Sequence, residues 1–495
     1  MSTDVQPREP LRLPGWLKFI VVFLLVVGLI ASFIWLMGAA ATRRWEQFAA
    51  DLRAKGQPVT FAEIEAQRTV IPDEINSAKI IEALADELNK LGAPPIDKWV
   101  LTFGSAATED MGNGVPRYVL NASTKFRDQH AAILERLRPI MHMPAGRYSV
   151  DYSAPAIQIL LPHLSRIRAA GKLVHLDTLL AAADHRAANA VDNVVLQLRL
   201  ADTLAEEPTL ISRLVQIALE GVALRSLEVA LLAGELTETD VQRLQAEIDE
   251  RLKKDSMRPA VLGERAYFVG ACDDLLTGRL SAPGLAMVTQ PPGAPAWLSF
   301  ILRLPIWLVR TNQIKGAEML SQLVDAGDDA AALSAAANNI DVETPKLPKT
   351  QVLTKMLMAS VSRAIVLHHR ITAELRCARA ALAAERFRMR TARLPNALDE
   401  LVPALLDEVP LDPFDAQPLR FKITDDGVVI YSIGENRGDD GGDVALRPKL
   451  GQRSMDVGFR LNPKPNQRPM DVGFRLNRLD RRGIVILEDP PPADE

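Results

Sequence analysis

Phe19–Ala41 reads FIVVFLLVVGLIASFIWLMGAAA, an uninterrupted apolar run without a single charge. At about 1.5 Å of rise per residue it is long enough, as a helix, to cross a hydrocarbon core of about 30 Å with some tilt. Trp16 and Trp35 lie toward its two ends, where interfacial aromatics gather. The expectation is a transmembrane helix over 16–42, preceded by a short tail over 1–15. Gly38-Ala39-Ala40-Ala41 also resembles a small-residue cleavage site, so a removed signal peptide is the competing reading. The run is longer than a signal peptide needs, and we expect the anchor to be retained. Arg8, Arg12 and Lys18 on one side face Arg43, Arg44, Arg53 and Lys55 on the other, so flanking charge barely sets the orientation. A short leading tail before a large following domain favours the N-terminus inside, with everything beyond Arg43 outside the cytoplasm. The expected location is thus the inner (cytoplasmic) membrane, single-pass.

Outward from the anchor, Thr42–Gly56 should continue the helix until Gly56-Gln57-Pro58 stops it. The chain has 495 residues, enough for several helical subdomains, and these are placed over 43–345. A helix begins near Pro72-Asp73-Glu74, with Ile75, Ile80, Ile81, Leu84 and Leu88 on its apolar face, and another covers Phe126–Leu137. Between Pro155 and Lys254, Leu/Ala-rich amphipathic segments break at Gly171, Pro208 and Gly234, as stacked antiparallel helices do. No fixed repeat period recurs. Trp297–Val309 (WLSFILRLPIWLV) is too short to span and is interrupted by Arg303 and Pro305; it reads as a buried helix in preference to a segment dipping into the bilayer surface.

Between Pro348 and Pro395 neither Pro nor Gly occurs, which predicts one long helix over 350–393. Leu357, Val361, Ala364, Ile371, Leu375, Ala378 and Leu382 form a narrow seam for a partner helix, and His368 falls in it as a core residue, not a ligand. Beyond Pro395 the period changes to alternation. Leu419–Ile423 and Val428–Tyr431 flank Asp425-Asp426-Gly427, a hairpin signal. The 15-residue tandem duplication over 452–477 places QRSMDVGFRLN at Gln452–Asn462 and QRPMDVGFRLN at Gln467–Asn477; one copy is expected to pair in the sheet. A β module thus occupies 394–488, and the Pro-rich tail over 489–495 is expected to be disordered.

Within the stretch from about Ala378 to Asp443, the ordered residues are Ala384-Glu385-Arg386-Phe387, Arg393-Leu394-Pro395, Leu398-Asp399-Glu400-Leu401, Pro410-Leu411-Asp412-Pro413-Phe414 and Leu419-Arg420-Phe421, and then Tyr431-Ser432-Ile433-Gly434 leading into Asp439-Asp440-Gly441-Gly442. This set resembles the C-terminal head domain of type II secretion major pseudopilins, as it recurs in planctomycete-type single-pass membrane proteins. The resemblance implies a stem-like helix packed on a small antiparallel sheet and a calcium loop whose matching positions here are Ser432, Asp439, Asp440 and Asp443. Calcium takes six to eight hard oxygens, and a Gly-punctuated loop can converge carboxylates and carbonyls on one point; a solvated acidic turn is the alternative. Two features depart from the family. Some 300 residues separate anchor and head, and Ile20 stands where a pilin carries an acid after Gly15-Trp16-Leu17-Lys18-Phe19, so neither pilin-type processing nor polymerisation is expected.

The net charge of −4 and pI near 6.1, without a basic stripe, exclude nucleic acid as an expected partner. Cys272 and Cys377 are in no metal-ligand spacing; they read as buried thiols, with a single long-range disulfide as the alternative. No H-E-x-x-H, G-x-S-x-G, Walker A or Rossmann pattern occurs. His163, His175 and His185 lie near Asp177 and Asp184 at offsets that do not share a helix turn, so no catalytic residue is assigned. The expectation is a mainly α, membrane-anchored extracytoplasmic scaffold or interaction protein with an envelope protein partner, a secretion-related assembly being one setting for it, and not an enzyme. A ligand-binding helical body or an unrecognised hydrolase are the alternatives.

Overall fold

The computed structural model describes residues 15–95, 115–143, 145–232, 236–280, 305–358, 361–424, 427–442, 457–461 and 486–487. α1, Gly15–Ala54, is one unbroken helix that contains the apolar run and continues past it. Gly56 ends it at φ 72; the Gly56 amide donates to the Arg53 carbonyl at 2.9 Å and the Gln57 amide to the Leu52 carbonyl at 3.0 Å, a Schellman stop that needs glycine's left-handed freedom. Along α1 the surface changes character. From Trp16 to Met37 every residue except Leu17 is exposed, and from Gly38 onward Gly38, Ala41, Trp45, Ala49 and Leu52 are buried along one face. Among the described residues this is the one helix long and apolar enough to cross a membrane.

The body begins with short helices: α2 Phe61–Gln67, α3 Ser77–Ala83 and α4 Ala85–Lys90. The helix expected near Pro72 thus arrives as a 3-10 turn and two short helices, broken where Leu84 turns to ψ 10. α5 Arg117–Gln129 and α6 Ala131–Leu137 follow. α7 His163–Ala183, α8 Ala187–Asp202 and α9 Leu210–Leu232 then stack as expected. Gly171 does not break α7, however; it is buried within that helix, because packing around it outweighs the roughly 1 kcal/mol that glycine costs a helix interior. The chain turns instead at Asp184–Arg186, with His185 at φ 56. Gly234 lies outside the described residues. α10 Glu238–Lys253 starts with a capping box between Thr237 and Asp240.

α11 Arg258–Thr277 and α12 Ile306–Ala326 form an antiparallel pair: Asp273 meets Arg310 at 2.6 Å at one end, and Ser256 meets Asp328 at 2.8 Å at the other. Of the predicted buried helix Trp297–Val309, residues 297–304 lie outside the described residues. Its described end is only partly buried, with Val309 inside and Ile306 55% exposed. α13 Ala330–Lys346 returns along α12, and α14 Val352–Met358 leads to α15 Val361–Thr391. The predicted long helix is present in these two pieces, Ala359 and Ser360 lying outside the described residues. Its narrow seam is corrected: all five residues from Ala380 to Ala384 are buried, since α9 and α10 cover one side of α15 and the β module covers the other.

In that module β2 Arg420–Thr424 pairs antiparallel with β3 Gly427–Ser432 in the expected hairpin register, Thr424 opposite Gly427. The first duplicated copy supplies β4 Val457–Leu461, which pairs with β3; the second copy lies outside the described residues. β3 is buried along its whole length: Val428 and Ile430 join the core with Ala380 to Ala384 of α15, and Ile433, just past the strand, packs with Ala373 and Phe414. A separate two-residue parallel pair joins β1 Val115–Pro116 to β5 Ile486–Leu487.

Candidate functional site

Of the expected calcium positions, Ser432, Asp439 and Asp440 are described, and Ser432 stands apart from the two carboxylates. Ser432 is fully buried and its Oγ donates to Asp412 Oδ1 at 2.8 Å. Asp412, also fully buried, is the hub of the module: it accepts from the Phe414 and Ile433 amides, each at 2.9 Å, and from Arg420 at 2.9 Å. Four donors on one buried carboxylate tie the Asp-Pro-Phe turn, β2 and the end of β3 together. The signal for Asp412 was the Asp412-Pro413-Phe414 turn itself, legible as a turn but not as a hub.

Asp439 and Asp440 sit on the exposed loop that follows. Asp439 Oδ1 accepts from the Tyr431 hydroxyl at 3.1 Å and from the Gly441 amide at 2.8 Å, and Asp440 accepts from Asn436 at 3.0 Å. Gly434, Gly441 and Gly442 take φ of 67, 74 and 78. The Lys422 ammonium donates to the Gly441 carbonyl at 2.5 Å, which sets a cation against the loop from the sheet side. Asp443 lies outside the described residues. Among the described residues no three His, Cys, Asp or Glu side chains stand together as a metal cluster. As described, the loop offers two exposed carboxylates, and Ser432 faces inward, away from them.

The densest polar site is elsewhere, deep in the body. Arg213 and Glu220 on α9, Arg251 on α10, Asp255 just past it and His368 on α15 are all nearly or fully buried. Arg251 Nε donates to Glu220 at 2.7 Å, Arg213 reaches Glu220 at 3.4 Å, and Arg213 also pairs with Asp255. Arg251 reaches Asp255 at 3.4 Å, and the Thr372 hydroxyl donates to the same carboxylate. Burial alone would raise the Asp255 carboxyl, but His368, charged at the low pH where Asp255 titrates, and then the Arg213 and Arg251 guanidiniums hold it well below the usual carboxylate range. Two guanidiniums meet two carboxylates here, and a third carboxylate, Asp202, stands 3.7 Å from Arg251 and 3.6 Å from Lys254.

His368 Nδ1 accepts from Arg213 at 2.8 Å, so its lone pair is spent. Burial, with Arg213 adding to it against the pull of Asp255, drives its pKa down to about 3. The imidazole is therefore neutral at ordinary pH and is not poised to move protons. Its core assignment was right, but the long-range partners were not visible: Asp255 is far away in sequence. A signal did exist, since Arg213, Gln216 and Glu220 repeat at helical spacing where apolar residues belong.

The other histidines disperse. His163 pairs with Glu207 at 2.9 Å beneath the stacked Tyr148 ring, both partners buried. His175 hydrogen-bonds Ser226 at 2.7 Å, and burial with Arg225 lowers its pKa to about 4. Asp177 serves Arg127 at 3.2 Å and Asn193 at 2.9 Å. Cys272 and Cys377 are buried thiols, both pushed up by burial, and neither forms a disulfide.

A third polar site joins anchor to body. Arg265, fully buried on α11, donates to Gln57 Oε1 at 2.7 Å, to Ser321 Oγ at 2.8 Å and to the Pro58 carbonyl at 2.9 Å. Gln57 in turn donates to Asp325 at 2.7 Å. Trp45, Ala49, Leu52 and Val59 pack with Val269 and Ala317 beside this latch.

The fold and its polar sites therefore define a mostly helical chain with one apolar N-terminal helix, a small antiparallel sheet near the C-terminus and interhelical salt-bridge interlocks. No family model, curated protein or solved structure matches it.

Proposed function

We propose that this chain is a membrane-anchored, extracytoplasmic scaffold that holds its helical body and pseudopilin-like module at a fixed geometry to the inner membrane, for a protein partner in an envelope assembly. The observation that carries the reading is the continuity of α1: one helix exposes apolar side chains from Trp16 to Met37 and then enters the hydrophobic core through Trp45, Ala49 and Leu52. No flexible linker intervenes, and the Arg265 latch fastens the end of the helix. A helix of this kind transmits position from the bilayer to the body. The buried polar groups favour the scaffold reading over catalysis, because the interlocked histidines and carboxylates are committed to internal partners.

The pseudopilin-like module is fused into this body, since α15 packs against α9 and α10 on the side away from the sheet. That coverage supports the expectation that the chain does not polymerise through its stem. Co-purification from solubilised membranes tests the reading: a stoichiometric envelope protein should accompany the whole chain and be lost when Arg265→Ala loosens the mount. Recovery of the chain alone under mild detergent, from cells with intact envelopes, would defeat it. For topology, a reporter active only outside the cytoplasm and fused after Glu495 should be active; activity of a cytoplasmic reporter there would reverse the orientation.

A further inference from the structure

We propose that the body has a second membrane contact, in which the first turn of α12 lies in the bilayer interface beside the anchor. This rests on reading α1 as a span. At about 1.5 Å per residue, Trp16 to Gly38 covers about 33 Å, so Gly38 marks the outer edge of a hydrocarbon core of about 30 Å. Gly38 is also the first buried residue of α1, and what covers it is α12: a Cβ placed there would meet the Ile306 side chain at 3.5 Å.

The two helices then run side by side in the same direction. Gly38 faces Ile306, and nineteen residues on in both, Gln57 meets Asp325 at 2.7 Å. α12 therefore begins at the depth at which α1 leaves the hydrocarbon and rises away from the membrane with it. Ile306 is 55% exposed at that depth, next to the partly buried Trp307. An apolar side chain and a tryptophan, continuous with the exposed apolar surface of the span, suit the boundary between acyl chains and headgroups.

The charges one level higher agree. Arg43 and Arg44 stand about 8 Å above Gly38 on α1. Lys349 stands at a similar height, since the neighbouring Thr350 carbonyl accepts from Asn312, six residues into α12, at 2.8 Å. All three are exposed, and among the described residues no carboxylate lies on them. They are placed to meet headgroup phosphates. Two contacts instead of one would fix the rotation of the body about its anchor as well as its height.

The test uses depth-dependent quenching in the full chain. Cys272 and Cys377 are buried, so a cysteine introduced at an exposed position takes a thiol-reactive nitrobenzoxadiazole label selectively. Ile306→Cys is compared with Val27→Cys in mid-span and with Ile211→Cys. Ile211 has the same 55% exposure but lies on the helix turn where Arg213 meets Asp255, at the far end of the body. The protein is reconstituted in phosphatidylethanolamine/phosphatidylglycerol vesicles containing doxyl-labelled lipid. Lipid quenching at 306 should lie within about twofold of that at 27 and vanish at 211. Quenching at 27 with none at 306 overturns the second contact. Absence of quenching at both 27 and 306 overturns the span itself, and the inference with it.

Discussion

Removing the Glu220 carboxylate from between its two arginines should cost far more than removing the same charge from the surface. Glu220 is fully buried, with Arg251 Nε at 2.7 Å and Arg213 at 3.4 Å. Glu220→Leu removes the nearest partner of Arg251 and leaves it only Asp255 at 3.4 Å, shared with Arg213, and Asp202 at 3.7 Å. Breaking a buried pair in this way costs about 3–5 kcal/mol. At roughly 2 °C or less per kcal/mol for a chain this long, the loss should read as a fall in melting temperature of up to about 10 °C. Arg251→Leu should cost a similar amount, because it leaves Glu220 with only the longer contact to Arg213. The double substitution restores the balance: Arg213 keeps Asp255, and Asp202 keeps Lys254 at 3.6 Å. Its cost should fall short of the summed single costs by about 2 kcal/mol or more, the signature of direct coupling. Differential scanning calorimetry of the four purified proteins in one detergent closes the cycle. A coupling below about 0.5 kcal/mol would show that these groups do not interact as placed, and the interlock would have to be abandoned.

The same site sets the acid limit. Neutral His368, with its pKa at about 3, costs stability as pH falls below about 6.5, and the Asp255 carboxyl, held below its unfolded value, adds a loss below about pH 3.9, so melting temperatures should fall from about pH 6.5 and more steeply below about pH 4, where Asp255→Asn should flatten the slope. Glu264 carries the opposite sign: burial raises its pKa to about 7, so the wild type should lose stability as pH rises from about 4.5 to 7. Glu264→Gln should then be the more stable protein at pH 8 by at most about 3 kcal/mol, and equal melting curves for the two at pH 8 would remove the claim. Among glycines, Gly263→Ala should fail to fold stably, because its Cβ would lie 1.7 Å from the Pro208 carbonyl oxygen, whereas Gly221→Ala, with open space around it on α9, should raise stability by up to about 1 kcal/mol. For the acidic loop, a calcium-dependent rise in the melting temperature of the whole chain, abolished by Asp440→Ala, is the result that a cation site requires; identical curves in calcium and chelator leave a solvated turn.

What the linear sequence determined is what short-range chemistry controls. An uncharged apolar run of sufficient length declares a helix long and apolar enough to cross a membrane, and Gly56-Gln57-Pro58 declares its stop, because both depend on neighbouring residues alone. The antiparallel pairing of β2 with β3 and the change from helical to alternating period were legible for the same reason, as was a helix through the Pro-free and Gly-free stretch before Pro395. Gly171 misled because its local cost is small beside the packing that surrounds it. Tertiary structure alone decided what covers what. The apolar positions on α15 suggested one seam, but an alanine-rich helix can be enclosed from two sides, and only the approach of α10 and β3 shows that it is. That Ser432 donates to Asp412, twenty residues away, is likewise visible only in the fold. Arg213, Glu220, Arg251, Asp255 and His368 come from three helices and a turn, and the pairing of charges that far apart follows from how the helices dock, which no local pattern encodes.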